Sequence, residues 1–204
     1  FEEVMVRFDA FTPDSAFKRA VRAVNPAGRV PVLVDGDTVV WDTLAIAEYL
    51  AERHAGVWPS DARARAWARS AAAEMHSGFG ALRQRAGMSC GQRVRLKELA
   101  ADLRADLARL EALWTEGLAR FGGPFLAGAA FGAVDAFFAP VAFRLQTYAL
   151  PLAEPAAAYA MRLLAVAARR DWCAAALAEP WRDEPHEADI AAAGTITQDL
   201  RRAP

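Results

Sequence analysis

Apolar side chains recur along this chain in two rhythms, and the change from one to the other divides it. Near the start, Val4, Val6 and Phe8 alternate with Met5 and Arg7, so residues 1–9 are predicted to form a strand. Residues 12–15 read as a turn or cap. Residues 16–24 read as a short helix with Phe17, Ala20, Val21 and Val24 on one side. The Asn25-Pro26-Ala27-Gly28 loop ends it, because the residue before a proline is pushed out of the helical region. Val30, Val32 and Val34 are apolar and β-branched, and Pro31 belongs at the start or edge of their strand. Asp35-Gly36-Asp37 is a turn signal, and residues 38–41 are a second β-rich run. From Leu44 the period turns helical through Ile46, Ala47 and Leu50, and Asp42 or Thr43 stands where a helix start needs a capping acceptor.

Residues 56–61 form a linker in which Pro59 excludes helix and Trp58 plugs an apolar gap. Beyond it the pattern is helical throughout. Residues 62 to about 85 set Trp67, Ala71, Met75, Phe79 and Leu82 at three- and four-residue spacing, and a Gly-Met-Ser-Cys-Gly break follows. From about 93 to 121, Leu96, Leu99, Leu103, Leu107, Leu110, Leu118 and Phe121 trace one stripe. It reads as a long helix of a helical domain in preference to a coiled-coil seam. Residues 131–148 are apolar nearly all round, as a central helix should be, and Pro140 within them means that the helix either kinks or begins later. Two more helices are expected over 154–168 and 170–179, and residues 183–204 read as an extended or weakly ordered tail. The expected fold is an α/β domain over 1–55, a linker over 56–61, an all-helical domain over 62–182, and the tail.

Composition narrows the function. With 204 residues, 54% of them apolar, the chain can bury a substantial core and is not a disordered segment. A net charge of -1 gives no reason to expect a nucleic acid or an acidic membrane as partner. The charge is uneven. Residues 1–54 carry six basic and nine acidic side chains, whereas residues 55–178 carry fifteen and ten. The excess arginine reads as solvated helix faces, a local anion-attracting cleft being the alternative. Cys90 and Cys173 are too far apart for a CxxC pair, which leaves a reducing cytoplasm as the default location. Cys90 sits in a break where a thiol is expected to be exposed, though nothing nearby would lower its pKa, while Cys173, beside a run of alanines, reads as buried packing. His54 and His186 lack ligand-like neighbours, so no metal is expected.

The motifs NPAGRVPVL, WDTLAIAEYL and FLAGAAFGAVDAFFAPV stand in the order and spacing found in bacterial glutathione S-transferases, and over residues 1–181 the chain resembles that family. The resemblance implies a thioredoxin-like domain followed by an all-helical one, with glutathione as substrate or ligand. It implies a cis Val30–Pro31 bond whose main-chain edge pairs with the cysteinyl part of glutathione. It also implies that Asp42 and Thr43 hold the γ-glutamyl end, Thr43 standing where the family more often has serine. On the residues alone, that helix start is a cap. Arg29, at the mouth of the same loop, either faces the glycyl carboxylate or is a surface arginine. His76 either contacts substrate or is a helix-surface residue. Asp135 resembles the acid of the family's N-capping box, a structural role, with Gly132 in place of the capping hydroxyl.

In the family, the Ser, Tyr or Cys that stabilises the thiolate follows a first strand, ahead of the part that matches residues 1–9. No residue of this sequence corresponds to it, and the first strand–helix unit is expected to be missing. The expected activity is transfer of the glutathione thiol to a small electrophile by a homodimer, with the 62–85 and 93–121 helices near its interface. A non-catalytic glutathione-binding or scaffold protein is the second reading. A third treats residues 93–121 as a coiled-coil partner surface.

Overall fold

Helix α1 (Ala16–Arg22) is started by two acceptors: Ser15 Oγ takes the N–H of Lys18 at 3.1 Å, and Asp9 takes those of Ala16 at 2.9 Å and Phe17 at 3.1 Å. It lies in the first of two compact units, Phe1–Val57 and Trp58–Pro204. The computed structural model describes residues 1–10 and 12–201; residues 202–204, the end of the expected tail, lie outside them. In the first unit α1 buries Phe17 and Val21, and Phe8 meets Phe17 edge-on with centroids 5.3 Å apart. Strands β1 (Val32–Asp35) and β2 (Thr38–Trp41) pair antiparallel, Val32 opposite Trp41 and Asp35 opposite Thr38. Gly36, at φ 59°, supplies the left-handed residue of their turn. Helix α2 (Thr43–Ala51) follows, and the Tyr49 hydroxyl donates to Asp35 Oδ2 at 2.8 Å, tying the helix to the turn.

The strand expected over residues 1–9 is absent. Alternation is only a propensity, and a strand needs a neighbour for its N–H and C=O groups. Among the described residues β1 and β2 pair only with each other, and Phe1, Val4 and Met5 are exposed.

The second unit holds α3 (Ala62–Ser77), α4 (Gly80–Arg85), β3 (Gln92–Leu96), α5 (Ala101–Phe121), α6 (Ala133–Tyr148), α7 (Ala156–Ala165), α8 (Ala167–Ala178), α9 (Glu184–Ala193) and β4 (Gly194–Asp199). The stripe of α5 delivers Leu103, Leu107, Leu110 and Trp114 to the core. There the Trp114 ring stands edge-on to Phe138 of α6 at 5.6 Å and to Tyr159 of α7 at 4.8 Å. Gly117 lets α5 approach α3 closely, since a Cβ there would fall 2.4 Å from the Trp67 ring. Helix α6 begins two residues later than its pattern and runs through Pro140. The 62–85 run is two helices, separated at Gly78 and Phe79, the latter at φ 55°. The expected 154–168 helix ends at Ala165, and α8 starts at Ala167.

Two expectations fail together. The helix expected from residue 93 starts only at Ala101, because Gln92–Leu96 is a strand, and the tail from 183 is helix α9 followed by strand β4. The strands pair antiparallel, Gln92 opposite Asp199 and Leu96 opposite Gly194, with a bulge between Arg93 and Val94. Val94 is buried and Arg95 exposed, a period-two pattern that Leu96 and Leu99 disguise by falling in helical register with Leu103. Ile190 of α9 is buried, and Arg201 bonds both Glu187 and Asp199 at 2.5 Å. That guanidinium holds the Asp199 carboxyl down at about 2. The architecture is thus a mixed β/α unit followed by a helical one, to which the β3–β4 ribbon is added.

Candidate functional site

Asn25, fully buried, shapes the loop that the sequence marks only as a helix stop. Its side-chain Nδ2 donates to the Arg29 carbonyl at 2.9 Å, and its Oδ1 accepts from the Ala27 N–H at 3.0 Å. Its own carbonyl accepts from Gly28 N–H at 2.9 Å, and Gly28 sits at φ 61°, a conformation that suits glycine. Lys18 of α1 fixes the far side by donating from Nζ to the Gly28 carbonyl at 2.8 Å. The chain then leaves this braced loop through Arg29, Val30 and Pro31, all exposed, and the Val30–Pro31 peptide is cis. Among the described residues, the main-chain N–H and C=O of Val30 have no hydrogen-bond partner. They form an open main-chain segment just before β1, able to pair with the backbone of a peptide.

Asp42 does for α2 what Asn25 does for the loop. Its Oδ1 accepts from the Leu44 N–H at 2.9 Å, and its carbonyl accepts from Ile46 N–H at 2.9 Å. It does so at φ 75° and ψ 131°, outside the regions that a side-chain-bearing residue prefers, at a cost of about 1–3 kcal/mol. Thr43 is exposed at the first helical position. The N–H groups of Thr43 and Ala45 have no partner among the described residues, so the positive end of α2 is open to an anion.

The strand register brings these two features together. Val32 lies directly opposite Trp41, so Val30-Pro31, just before the one, and Asp42-Thr43, just after the other, share one end of the hairpin. That end offers a main-chain donor and acceptor, helix N–H groups with a hydroxyl, a carboxylate at Asp42, and the Arg29 guanidinium. The set suits a short peptide that carries both a carboxylate and an ammonium group.

Two other hydroxyls of this unit are engaged structurally. Ser15 caps α1, and the Asp35 carboxylate that accepts from Tyr49 pushes the Tyr49 phenol upward, away from easy ionisation. His76 lies in the second unit, exposed on α3, its ring edge-on to Phe137 at 6.3 Å. Asp135, wholly buried in α6, accepts from Gly132 N–H at 2.9 Å, Leu126 N–H at 3.1 Å and the Tyr159 hydroxyl at 2.7 Å. Burial pushes its carboxyl up, and these donors oppose the shift. With glycine at the cap, only the acid half of a capping box is present. Asn25 escaped the sequence reading, its one signal being its place before proline in the loop. Among the described residues, no group of three or more His, Cys, Asp or Glu side chains could hold a metal. No helix of the described residues is long and apolar enough to cross a membrane.

Residues 1–53 match the family description "Glutathione S-transferase, N-terminal domain". Among solved structures, a theta class glutathione S-transferase from Xanthomonas axonopodis pv. citri, with glutathione bound, is similar at 27% identity and a TM-score of 0.54, over 78% of this chain and 77% of that one. A maleylacetoacetate isomerase from Methylobacterium extorquens AM1, with malonate and GSH bound, is similar at 26% identity and 0.53, over 73% and 74%. A dichloromethane dehalogenase of Methylophilus leisingeri is 53% identical over 30 residues, and the match spans 15% of this chain and 11% of that protein.

Proposed function

We propose that this chain, whose fold is that of the glutathione S-transferase superfamily, binds glutathione on its first unit and serves transfer of the glutathione thiol to a small electrophile. One observation carries the reading: the open Val30 main chain and the open start of α2 meet at one end of the β1–β2 hairpin. Glutathione is a peptide with an amino-acid head. In this reading its cysteinyl backbone pairs with Val30 across the Val30–Pro31 edge. The γ-glutamyl carboxylate takes the α2 N–H groups and the Thr43 hydroxyl, and the ammonium group meets Asp42. Arg29 answers the glycyl carboxylate. The thiolate attacks a small, largely apolar electrophile, and holding it in place supplies part of the rate. No residue of the sequence is assigned the thiol-stabilising role. Asp135 is structural, and contact of His76 with the electrophile is a separate proposal, which a raised KM for the electrophile alone in His76→Ala would support. We place the protein in the cytoplasm as a homodimer. Light scattering at micromolar concentration should give twice the chain mass, and monomer mass alone would remove that part.

A glutathione-binding protein without transfer chemistry is the second reading. The engagement of Ser15 and Tyr49 in capping and bracing favours it. Calorimetry with glutathione, alongside a thiol-transfer assay on an activated aryl halide, separates the two. Binding with turnover supports the transferase, and binding without turnover supports the second reading. Absence of binding overturns both.

A further inference from the structure

Cys90 lies in the turn between α4 and β3, Cys173 lies on α8, and both are free, partly buried thiols. Helix α6 draws their surroundings together. Phe143 of α6 packs with its ring centroid 5.7 Å from that of Trp172, the residue before Cys173. One turn further along α6, the Thr147 hydroxyl donates to the carbonyl of Ser89, the residue before Cys90. On the other side, Gly91 lies so near α8 that a Cβ there would stand 2.9 Å from Leu177 Cδ2, and Leu177 is one turn beyond Cys173. These contacts set Cys90 and Cys173 as neighbours where α8 packs on the turn. Burial pushes the Cys90 thiol up, and the adjoining Cys173 sulfur pushes it further.

We propose that Cys90 and Cys173 form a reversible intramolecular disulfide, a redox-sensitive staple between α8 and the turn that leads into β3. The oxidant is a low-molecular-weight disulfide, RSSR. Cys90, with the Arg201 guanidinium near it, attacks as its thiolate. Its sulfur bonds to one sulfur of RSSR, the S–S bond breaks, and RS⁻ leaves and takes up a proton. Cys173 then loses its proton and attacks the Cys90 sulfur of the mixed disulfide, expelling the second RS⁻. In total, two protein thiols and RSSR give one protein disulfide and two RSH. The protein gives up two electrons and two protons, and RSSR gains them. A raised thiol makes the first attack slow at neutral pH and faster in alkali. The staple lands where it has most to hold, for α8 buries no side chain fully and β3 carries the pairing with β4.

The test treats the full chain with excess hydroxyethyl disulfide in mild alkali, quenches it in acid, and measures free thiols in denaturant and intact mass. We expect thiols to fall from two per chain to none, with the mass lower by two hydrogens and one peptide pair joined through Cys90 and Cys173. The melting temperature should rise by roughly 5–10 °C and return with dithiothreitol. Cys173→Ser should stop at a mixed disulfide on Cys90 with no such rise. Two retained thiols, stable adducts on both cysteines, a disulfide between chains, or a bridged chain that melts no higher would each overturn the proposal. The wild-type readouts decide it whether or not the variant folds.

Discussion

The two units reach order by different means. Trp58–Pro204 is built around side chains taken wholly out of water, with Trp114, Phe138 and Tyr159 at the centre. In Phe1–Val57, the buried apolar side chains among the described residues are Phe17 and Val21, and α2 buries none. Hydrogen bonds shape the first unit instead: Asp9 and Ser15 start α1, Asn25 braces the loop, and Asp42 starts α2. The difference follows from what each unit presents. Apolar packing places side chains well but leaves main-chain direction loosely determined at a surface. A site made of an open main-chain segment and a helix end depends on where N–H and C=O groups point. Buried or bracing polar side chains set those directions one bond at a time.

The largest effect expected from this contrast is in the second unit. Trp114→Ala should cost about 3–5 kcal/mol in denaturant unfolding, since the lost indole leaves a cavity that Phe138 and Tyr159 cannot fill. A loss within the range of surface substitutions would mean that the core does not rest on this ring. Next comes Asn25→Ala, which removes the donor to Arg29 and the acceptor of Ala27 N–H. About 1–2 kcal/mol should be lost locally. Amide exchange should quicken around residues 27–30 while the second unit is unchanged, and slow exchange preserved there would show that the loop is held by other means.

The smallest effect is one of pH. The Asp199 carboxyl is held at about 2 against an ordinary 3.8, so its folded pKa is depressed. The unfolded chain therefore binds more protons between these values, and the contribution is present above 3.8 and lost as pH falls through about 2. Asp135 runs the other way: its carboxyl is raised by burial, so its contribution is largest below 3.8 and declines as pH rises through the folded pKa. Wild type should exceed Asp199→Asn in stability at neutral pH by a margin that shrinks in acid. A margin independent of pH would contradict the ion pairing of β4 with Arg201.

Legibility in the sequence followed the range of the interactions concerned. The β1–β2 hairpin, its glycine turn, the start of α2 and most of the α5 stripe depend on neighbours a few residues away, and local patterns reveal them. Strand β3 depends on β4, about a hundred residues later, and Gln92–Leu96 was easily absorbed into the leucine stripe that follows. Residues 1–9 err in the opposite sense, having the pattern of a strand without a ladder to join. At the candidate site, Val30, Pro31, Asp42 and Thr43 stand out in the sequence, but their meeting at one end of the hairpin is a matter of register. Asn25 was hidden because its work is done by a buried amide, which no periodicity marks.

The central claim is that the open start of α2 is a ligand site and not merely a capped helix. Titrating wild type and Thr43→Ala calorimetrically with glutathione tests it most directly. Losing one hydrogen bond to a charged group should weaken affinity by about 1.5–3 kcal/mol, roughly tenfold to a hundredfold or more, with the fold intact. Equal affinities in the two proteins would contradict the claim.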